Sequence, residues 1–238
     1  MNSAFYVSPF RRVGIVENMA YDAILLHDYS HPVQARIRCY GWSEPGATFG
    51  YSQRWAEVSA FLADQALPIV RRLTGGGMVP HGADFTYALA LPPAHPLYQV
   101  RAGELYRQVH EAVAACLLAF DCPAELQSCA CREGQPHTPA RVAGQCFQSA
   151  EPFDVVHAET RQKLAGAAMK RHRDGLLVQG SITLPEGAPL DLFERSFIEL
   201  IASRLELPFP TAVPAQTDPQ ALDRWKTHFG DPQWNRKR

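Results

Sequence analysis

The chain has 238 residues, and its 23 Lys and Arg residues nearly balance 24 Asp and Glu residues, for a formal charge of −1. This balance excludes a protein that binds nucleic acid or anionic membranes by bulk electrostatics. With 46% hydrophobic and 20% charged residues the composition is that of a folded globular protein, and six Cys residues are too few for a disulfide scaffold, so we expect reduced thiols.

No targeting or membrane-spanning segment is expected at the sequence level. The opening MNSAFYVSPFRR lacks an apolar signal core. The longest apolar run, residues 112–120, is far shorter than the roughly 20 residues that a spanning helix needs. We therefore expect a cytoplasmic protein, and because neither a repeat nor a composition break divides residues 1–238, we expect one domain.

The first half of the chain alternates helical and strand-like patterns. Apolar residues recur at helical spacing over 18–29, with Asn18 placed to cap the first turn. Segments 35–40 and 47–51 alternate like strands around a Gly- and Pro-containing loop, which favours a hairpin. The pattern then predicts, in order, a helix over 55–65, a strand over 67–72 and a strand over 84–91.

The second half begins with a helical pattern over 104–120, where apolar residues share one face. Periodicity then disappears over 121–145, as expected of a long loop. Three strands and two helices complete the prediction, at 153–156, 163–165, 176–184, 190–205 and 218–228. Strands and helices are interspersed without the βαβ rhythm of a parallel sheet, so we predict an α+β fold.

A run of three glycines, residues 75–77, separates two apolar segments. Such a backbone can adopt positive φ and let a ligand approach closely, and its N–H groups can face an anion beside the positive charges of Arg71 and Arg72. A flexible hairpin loop is the alternative interpretation. The run has neither the Gly-Lys-Ser/Thr ending of a Walker loop nor a GxGxxG spacing, so neither nucleotide motif is predicted.

Lys163 enters a run of small residues, 165–168, beside which a bulky ligand could lie. Its ammonium is a compact charge with three donors that could meet a carboxyl, carbonyl or phosphate oxygen. A solvated lysine on an edge strand is the alternative interpretation.

Cysteines offer two further possibilities. A thiol such as that of Cys146, in a loop near a cation, can act as a nucleophile on an acyl group, whereas a buried thiol is a small hydrophobe. Four residues could in principle hold zinc: Cys122, Cys129, Cys131 and His137. No pair among them has the C-x-x-C spacing of structural sites, so no metal site is expected.

Together these segments resemble the biotin/lipoate protein ligase superfamily, in the branch that attaches lipoate or octanoate to proteins. The segments starting at Asn18, Arg38 and Ala47 look like the opening helix and hairpin of that family. Residues 71–81 are similar to its RRxxGGGxVxH signature and residues 163–168 to its KxxGxA signature.

The resemblance implies a single catalytic domain over residues 1–238, with mixed, mostly antiparallel sheets flanked by helices and without the C-terminal accessory domain of single-chain ligases. Lys163 would bind the acyl carbonyl or the phosphate of an acyl-adenylate. The substrate-binding residues that it implies around the acyl group are Arg72, Thr74, Gly75, Gly76, Gly77, Val79, His81, Gly166 and Ala167.

Two ways of activating the acyl group separate the subfamilies. ATP-dependent lipoate ligases make a lipoyl-adenylate and would require ATP and Mg²⁺. Some octanoyltransferases carry a Cys-Phe segment that residues 145–154 resemble, and Gly77 is the ligase-like residue where those transferases tend to carry Arg. In a transferase, Cys146 would take the octanoyl chain from an acyl carrier protein as a thioester and pass it to a lysine of a lipoyl-domain protein, with no cofactor.

The resemblance therefore implies octanoyl transfer through Cys146. A lipoate ligase working with an accessory subunit is the alternative, and a non-catalytic relative that binds an acyl group or a lipoyl domain is a third. Basic residues at Arg71, Arg72, Lys163 and 170–173 would form a patch beside the site that suits an acidic carrier protein or an adenylate phosphate.

Overall fold

A computed structural model describes residues 4–29, 33–61, 67–128, 150–212 and 218–237. The helices are α1 (Ile15–His27), α2 (Trp55–Phe61), α3 (Ala102–Ala119), α4 (Leu190–Arg204), α5 (Pro219–Gly230) and α6 (Pro232–Asn235). The strands are β1 (Phe5–Val13), β2 (Ala35–Trp42), β3 (Gly46–Phe49), β4 (Ile69–Arg71), β5 (Val79–His81), β6 (Phe85–Leu91), β7 (Ala124–Leu126), β8 (Val155–His157), β9 (Lys163–His172), β10 (Gly175–Ile182) and β11 (Pro210–Ala212). Among the helices so described, each is too short or too polar to cross a membrane.

The strands form two mixed sheets. The larger sheet has the order β11-β1-β2-β6-β10-β9-β8-β7, and the smaller has the order β4-β3-β5. Strand β1 pairs in parallel with β11 and β2, and β3 pairs in parallel with β4. The remaining pairs are antiparallel. The predicted α+β fold with mixed, mostly antiparallel sheets is confirmed.

Helices cover both faces of the larger sheet. Side chains of β6 alternate between the faces, so that Leu89 packs in the cluster that contains α3 and α4, whereas Ala88 and Ala90 pack in the cluster that contains α1. Every residue of β6 is buried. The small alanines on the α1 side let that helix, which carries Met19, approach the sheet where the candidate site lies.

The predicted hairpin of segments 35–40 and 47–51 is wrong. Strand β2 pairs with β1 on one edge and with β6 on the other, which leaves no edge for β3. Strand β3 instead joins β4 and β5 in the smaller sheet. The cause is β1, a strand missing from the sequence prediction, which precedes α1 and takes the outer edge of β2.

Asn18 does not cap α1, because the helix already begins at Ile15 and its N-cap residue is Gly14. Asn18 is fully buried. Its side-chain amide donates to the carbonyl oxygens of Val13 at 3.1 Å and Gly41 at 3.0 Å, so that it joins the ends of β1 and β2. A buried amide with two backbone acceptors is fully used in this way.

Two other segments differ from the prediction. The predicted loop over 121–145 contains the short strand β7, and its residues from 129 onward, with Cys129, Cys131 and His137, lie outside the described residues. Strand β9 extends for ten residues to His172, well past the predicted end at residue 165. It continues because β10 supplies a partner from Ala165 to His172. Within the described residues, Cys39, Cys116 and Cys122 are free thiols, as expected.

Candidate active site

A cavity of about 130 Å³ lies where the larger sheet meets the smaller one. Strands β6, β9 and β10 form one side of it, and β3, β5 and the glycine loop form the other. Apolar side chains of Met19, Met78 and Val79 share the lining with polar groups. A concave site of this kind, mostly apolar with a few convergent polar groups, is typical of small-molecule binding.

Most of the residues predicted around the acyl group lie at this cavity. Those that line it are Arg72, Gly77, Val79, His81, Lys163, Gly166 and Ala167. Cys146 lies outside the described residues. Glu151, which follows Cys146 by five positions in the sequence, lines the cavity.

Three predicted residues, Thr74, Gly75 and Gly76, lie behind the lining. The hydroxyl of Thr74 donates to Gln179 Oε1 at 2.7 Å, and the carbonyl oxygen of Gly75 accepts from the guanidinium of Arg72. Gly76 has φ +81, and a Cβ there would come 2.9 Å from Arg72 Nη2. The loop of residues 74–77 therefore holds Arg72 and Gln179 in place. The absence of a side chain at Gly76 lets the guanidinium of Arg72 lie close to the backbone.

Lys163 forms a buried ion pair at one wall of the cavity. Its Nζ lies 2.7 Å from Asp154 Oδ2, and the two side chains are 9% and 1% exposed. The phenol of Tyr106 donates to Asp154 Oδ1 and accepts from the backbone N–H of Ala167 at 3.2 Å. Burial raises the pKa of Tyr106 well above its usual range, and the charge of Asp154 adds to this, so the phenol stays a donor. The alternative interpretation of Lys163 as a solvated lysine on an edge strand is therefore wrong.

Gly166 makes room for this lysine. A Cβ built on Gly166 would lie 2.8 Å from Lys163 Cε and 3.0 Å from Nζ. Because Cβ atoms essentially never approach other heavy atoms so closely, the lysine can fold across the strand only where residue 166 has no side chain. The spacing of Lys and Gly in the KxxGxA signature therefore has a steric basis here.

His81 also lines the cavity and is held by its neighbours. Its Nδ1 lies 2.8 Å from Asp84 Oδ2, its Nε2 lies 2.9 Å from Thr48 Oγ1, and its ring stacks on Trp42. Burial lowers the pKa of His81 despite the neighbouring carboxylate, so the imidazole is neutral, with Nδ1–H donating to Asp84. Although burial alone would raise the pKa of Asp84, hydrogen bonds from His81, Gly82 and Ser181 lower it to about 2.

A buried polar network around Asp22 holds Tyr40 and Gln179, two residues that line the cavity. Asp22 Oδ1 accepts from Arg38 at 2.6 Å, and its Oδ2 accepts from the hydroxyl of Tyr40 at 2.8 Å and from Gln179 Nε2 at 2.5 Å. Asp22 and Arg38 are 1% and 6% exposed at the side chain. Because each carboxylate oxygen has a partner, this charge is compensated within the protein, and it orients the amide of Gln179 toward Thr74.

The predicted basic patch does not form one surface. Arg71 is fully buried, and its guanidinium donates to the carbonyl oxygens of Tyr51 and Gln53, each at 2.8 Å, and of Asn235 at 2.9 Å. Lys170, His172 and Arg173 instead line a second cavity of about 460 Å³. Arg71 is a structural residue because a buried guanidinium is satisfied by the carbonyl groups that it joins.

Five residues at the site have no role in the sequence prediction. Tyr106, Asp154 and Gln179 line the cavity, whereas Asp84 and Asp22 hydrogen-bond to lining residues. Asp154 lies in the Cys-Phe segment, residues 145–154, and Gln179 lies in the predicted strand 176–184. The sequence analysis therefore covers both residues but assigns neither of them a role at the site. Tyr106 lies on the buried side of α3, where an aromatic side chain is usually part of the hydrophobic core. Nothing in the pattern signals that it meets Asp154.

The comparison with protein families agrees with this architecture. A family model described as the lipoyl protein ligase A/B catalytic domain matches residues 15–191. The chain belongs to this family.

Among its relatives is an octanoyltransferase LipM of Kyrpidia tusciae, 32% identical over 172 residues, which cover 70% of this chain and 61% of the relative. An octanoyltransferase LipM of Halalkalibacterium halodurans is 29% identical over 223 residues, or 90% of this chain and 80% of the relative. The chain thus spans about three fifths of the length of the Kyrpidia relative.

Solved structures share the fold across the whole described architecture. A putative lipoate protein ligase from T. acidophilum with bound lipoic acid has a TM-score of 0.74 at 15% identity, covering 98% of this chain and 99% of that one. A lipoate-protein ligase A bound with ATP has the same TM-score at 15% identity, covering 99% of each chain.

Proposed function

We propose that this chain is an acyltransferase that attaches an octanoyl or lipoyl group in amide linkage to a lysine of a lipoyl-domain protein, with octanoyl transfer through a thioester on Cys146. The observation that carries the proposal is the buried pair of Lys163 and Asp154 at the wall of a largely apolar cavity. The similarity to proteins named octanoyltransferase LipM supports the same reaction.

The proposed reaction has two balanced acyl transfers. The thiolate of Cys146 attacks the thioester carbonyl of an octanoyl-carrier protein, and the carrier thiol leaves with a proton. The amine of the acceptor lysine then attacks the new thioester, so that an amide forms and the Cys146 thiol returns. Because the thioester energy is retained until the amide forms, neither step consumes ATP.

In this reaction Lys163 would donate a hydrogen bond to the acyl carbonyl oxygen and stabilise the negative charge that develops there. Asp154 would act as a positioning residue because it pairs with the ammonium of Lys163, and Tyr106 because its phenol donates to Asp154. Gly166 and Ala167 would leave space for the acyl chain beside Lys163.

Charge at the cavity favours a thioester over a triphosphate. The described cations that line it are Lys163 and Arg72, and each has partners in the protein: Asp154 for the lysine, Thr74 and Gly75 for the arginine. Two carboxylates, Glu151 and Asp154, also line the cavity. A polyphosphate would meet these negative charges, whereas a thioester is uncharged.

The proposal is tested by mixing the protein with an octanoyl-carrier protein and measuring its intact mass. We expect an octanoyl adduct that hydroxylamine removes, and that Cys146→Ala abolishes. Cys122→Ala, which removes another free thiol at some distance in the sequence, is the matched control and should keep the adduct. Absence of an adduct, or an adduct that survives Cys146→Ala, refutes the thioester.

A second candidate is an ATP-dependent lipoate ligase, which Gly77 and the fold shared with lipoate ligases favour. It would use ATP and Mg²⁺ and form a lipoyl-adenylate. Lipoate-dependent pyrophosphate release, measured with a lipoyl-domain acceptor and with candidate accessory subunits, distinguishes it from the transferase. Release of pyrophosphate together with a normal rate for Cys146→Ala would establish the ligase and exclude the transferase.

A further inference from the structure

We propose that His27, His172 and Asp174 form a binding site for a divalent transition-metal ion such as Zn²⁺, separate from the acyl cavity. The Nδ1 atoms of His27 and His172 lie 2.7 and 3.2 Å from the same oxygen, Asp174 Oδ2. All three ligand atoms lie within 4.8 Å of one another. Ligands at about 2.1 Å in a tetrahedral zinc site stand roughly 3.4 Å apart, so small side-chain movements complete the geometry.

The site joins two distant parts of the chain. His27 is in the last turn of α1, whereas His172 ends β9 and Asp174 lies in the turn that leads to β10. The negative end of the helix dipole lies at the carboxyl end of α1 and favours a cation there. None of these three ligands belongs to the set of Cys122, Cys129, Cys131 and His137, for which the sequence predicts no metal site.

The three ligand atoms converge on one carboxylate oxygen. Both imidazole Nδ1 atoms face Asp174 Oδ2. The backbone N–H of Asp174 donates to His172 Nδ1 at 3.3 Å, and a metal ion bound at this nitrogen would replace that long contact.

The ligand types are those that bind first-row transition metals. Two imidazoles with one carboxylate suit zinc and neighbouring first-row ions.

Neighbouring groups orient the ligands. The ring of His27 stacks on Trp225, whose indole N–H donates to Asp28. The three ligands also line the second cavity, which has space for a solvent molecule as a fourth ligand. Such outer contacts fix the ring orientations that a metal needs.

A bound ion would connect the end of α1 to the β9–β10 turn. Helix α1 contributes Met19 to the acyl cavity and β9 contributes Lys163, so the ion would stabilise the two elements relative to each other. We therefore infer a structural site, whose occupancy can be measured without any assay of acyl transfer.

The test is a Zn²⁺ titration of chelator-treated protein, measured by competition with a chromophoric chelator and by thermal unfolding. We expect a rise in the unfolding temperature with Zn²⁺, and at least tenfold weaker binding for Asp174→Asn and for His172→Ala. Arg173→Ala is the matched control between the two ligands. It removes a positive charge beside the site, so its affinity should equal or exceed that of the unmodified chain.

Co²⁺ binding identifies the ligand atoms, because thiolate ligands give an intense charge-transfer band and nitrogen and oxygen ligands do not. We expect a spectrum without that band. Equal Zn²⁺ affinity of Asp174→Asn and the unmodified chain would overturn the proposal. So would a thiolate band, which would assign the ion to cysteines.

Discussion

Lys163 lies across the α-carbon of Gly166, so closely that a methyl group at residue 166 would come 2.8 Å from the lysine Cε. The backbone of β9 is thus part of the surface on which the lysine rests. Position 166 therefore determines where the ammonium is, although glycine itself offers no functional group.

Gly166→Ala should displace the lysine and lower the rate of the proposed amide formation by at least tenfold. The physical reason is that the methyl group forces Lys163 away from Asp154, a move of 1 Å or so that commonly costs catalysis on the order of 100-fold. Gly103→Ala is the control, because a Cβ there meets nothing within 4 Å. A normal rate for Gly166→Ala would show that the position of Lys163 does not matter.

Asp154→Asn should reduce both stability and acyl transfer. The carboxylate is 1% exposed, and the substitution removes the negative charge that lies 2.7 Å from the buried ammonium of Lys163. Breaking a buried pair in this way costs about 3–5 kcal/mol of unfolding free energy. Urea unfolding and the rate of amide formation measure the two effects.

Glu151→Gln serves as the comparison for Asp154→Asn. Glu151 lines the same cavity but is exposed, so its substitution should change the unfolding free energy by less than about 0.5 kcal/mol. Equal stability losses for the two variants would argue that burial of the ion pair is not the cause.

His110 should make the protein less stable as the pH falls below about 6.5. It is fully buried, and this burial, together with the charge of Lys163, lowers its pKa to about 4. The unfolded chain therefore binds a proton at a higher pH than the folded chain, and stability is lost between 6.5 and 4. This shift corresponds to about 2 kcal/mol between pH 7 and pH 5.

His110→Asn isolates this contribution. The amide nitrogen of Asn can keep the hydrogen bond that His110 Nδ1 makes to the carbonyl oxygen of Phe153 at 2.7 Å, but it does not titrate. We expect the difference in unfolding free energy between pH 7 and pH 5 to shrink by about 2 kcal/mol in this variant. An unchanged pH dependence would mean that other groups cause it.

The sequence predicts the parts of this fold that depend on local patterns. Helix α3 and strand β6 appear where their apolar periodicity places them, within a few residues. The hairpin error has a different origin, since the partner of β2 is set by β1 on the far side of α1. Pairing of distant strands is a property of the whole sheet, which no local window contains.

The site shows the same division. Lys163, His81 and Gly77 are recognisable from signatures, whereas their partners Asp154 and Asp84 are not assigned roles. Those partners matter because they carry charge at a specific distance, and a distance between residues becomes known only once the chain is folded. Family resemblance points to the candidate site residues, and the structure shows which neighbours hold Lys163 and His81.

Arg71→Met should lower the unfolding free energy by about 3 kcal/mol or more, because it removes the donors from several buried carbonyl groups. The guanidinium connects the Tyr51 and Gln53 carbonyl oxygens to that of Asn235 near the end of the described chain. Arg173→Met is the control, since that side chain is 87% exposed and its loss should change stability by less than about 0.5 kcal/mol. Urea unfolding at pH 7 measures both variants. Similar losses of unfolding free energy in the two variants would indicate that Arg71 is a surface residue, as the predicted basic patch requires.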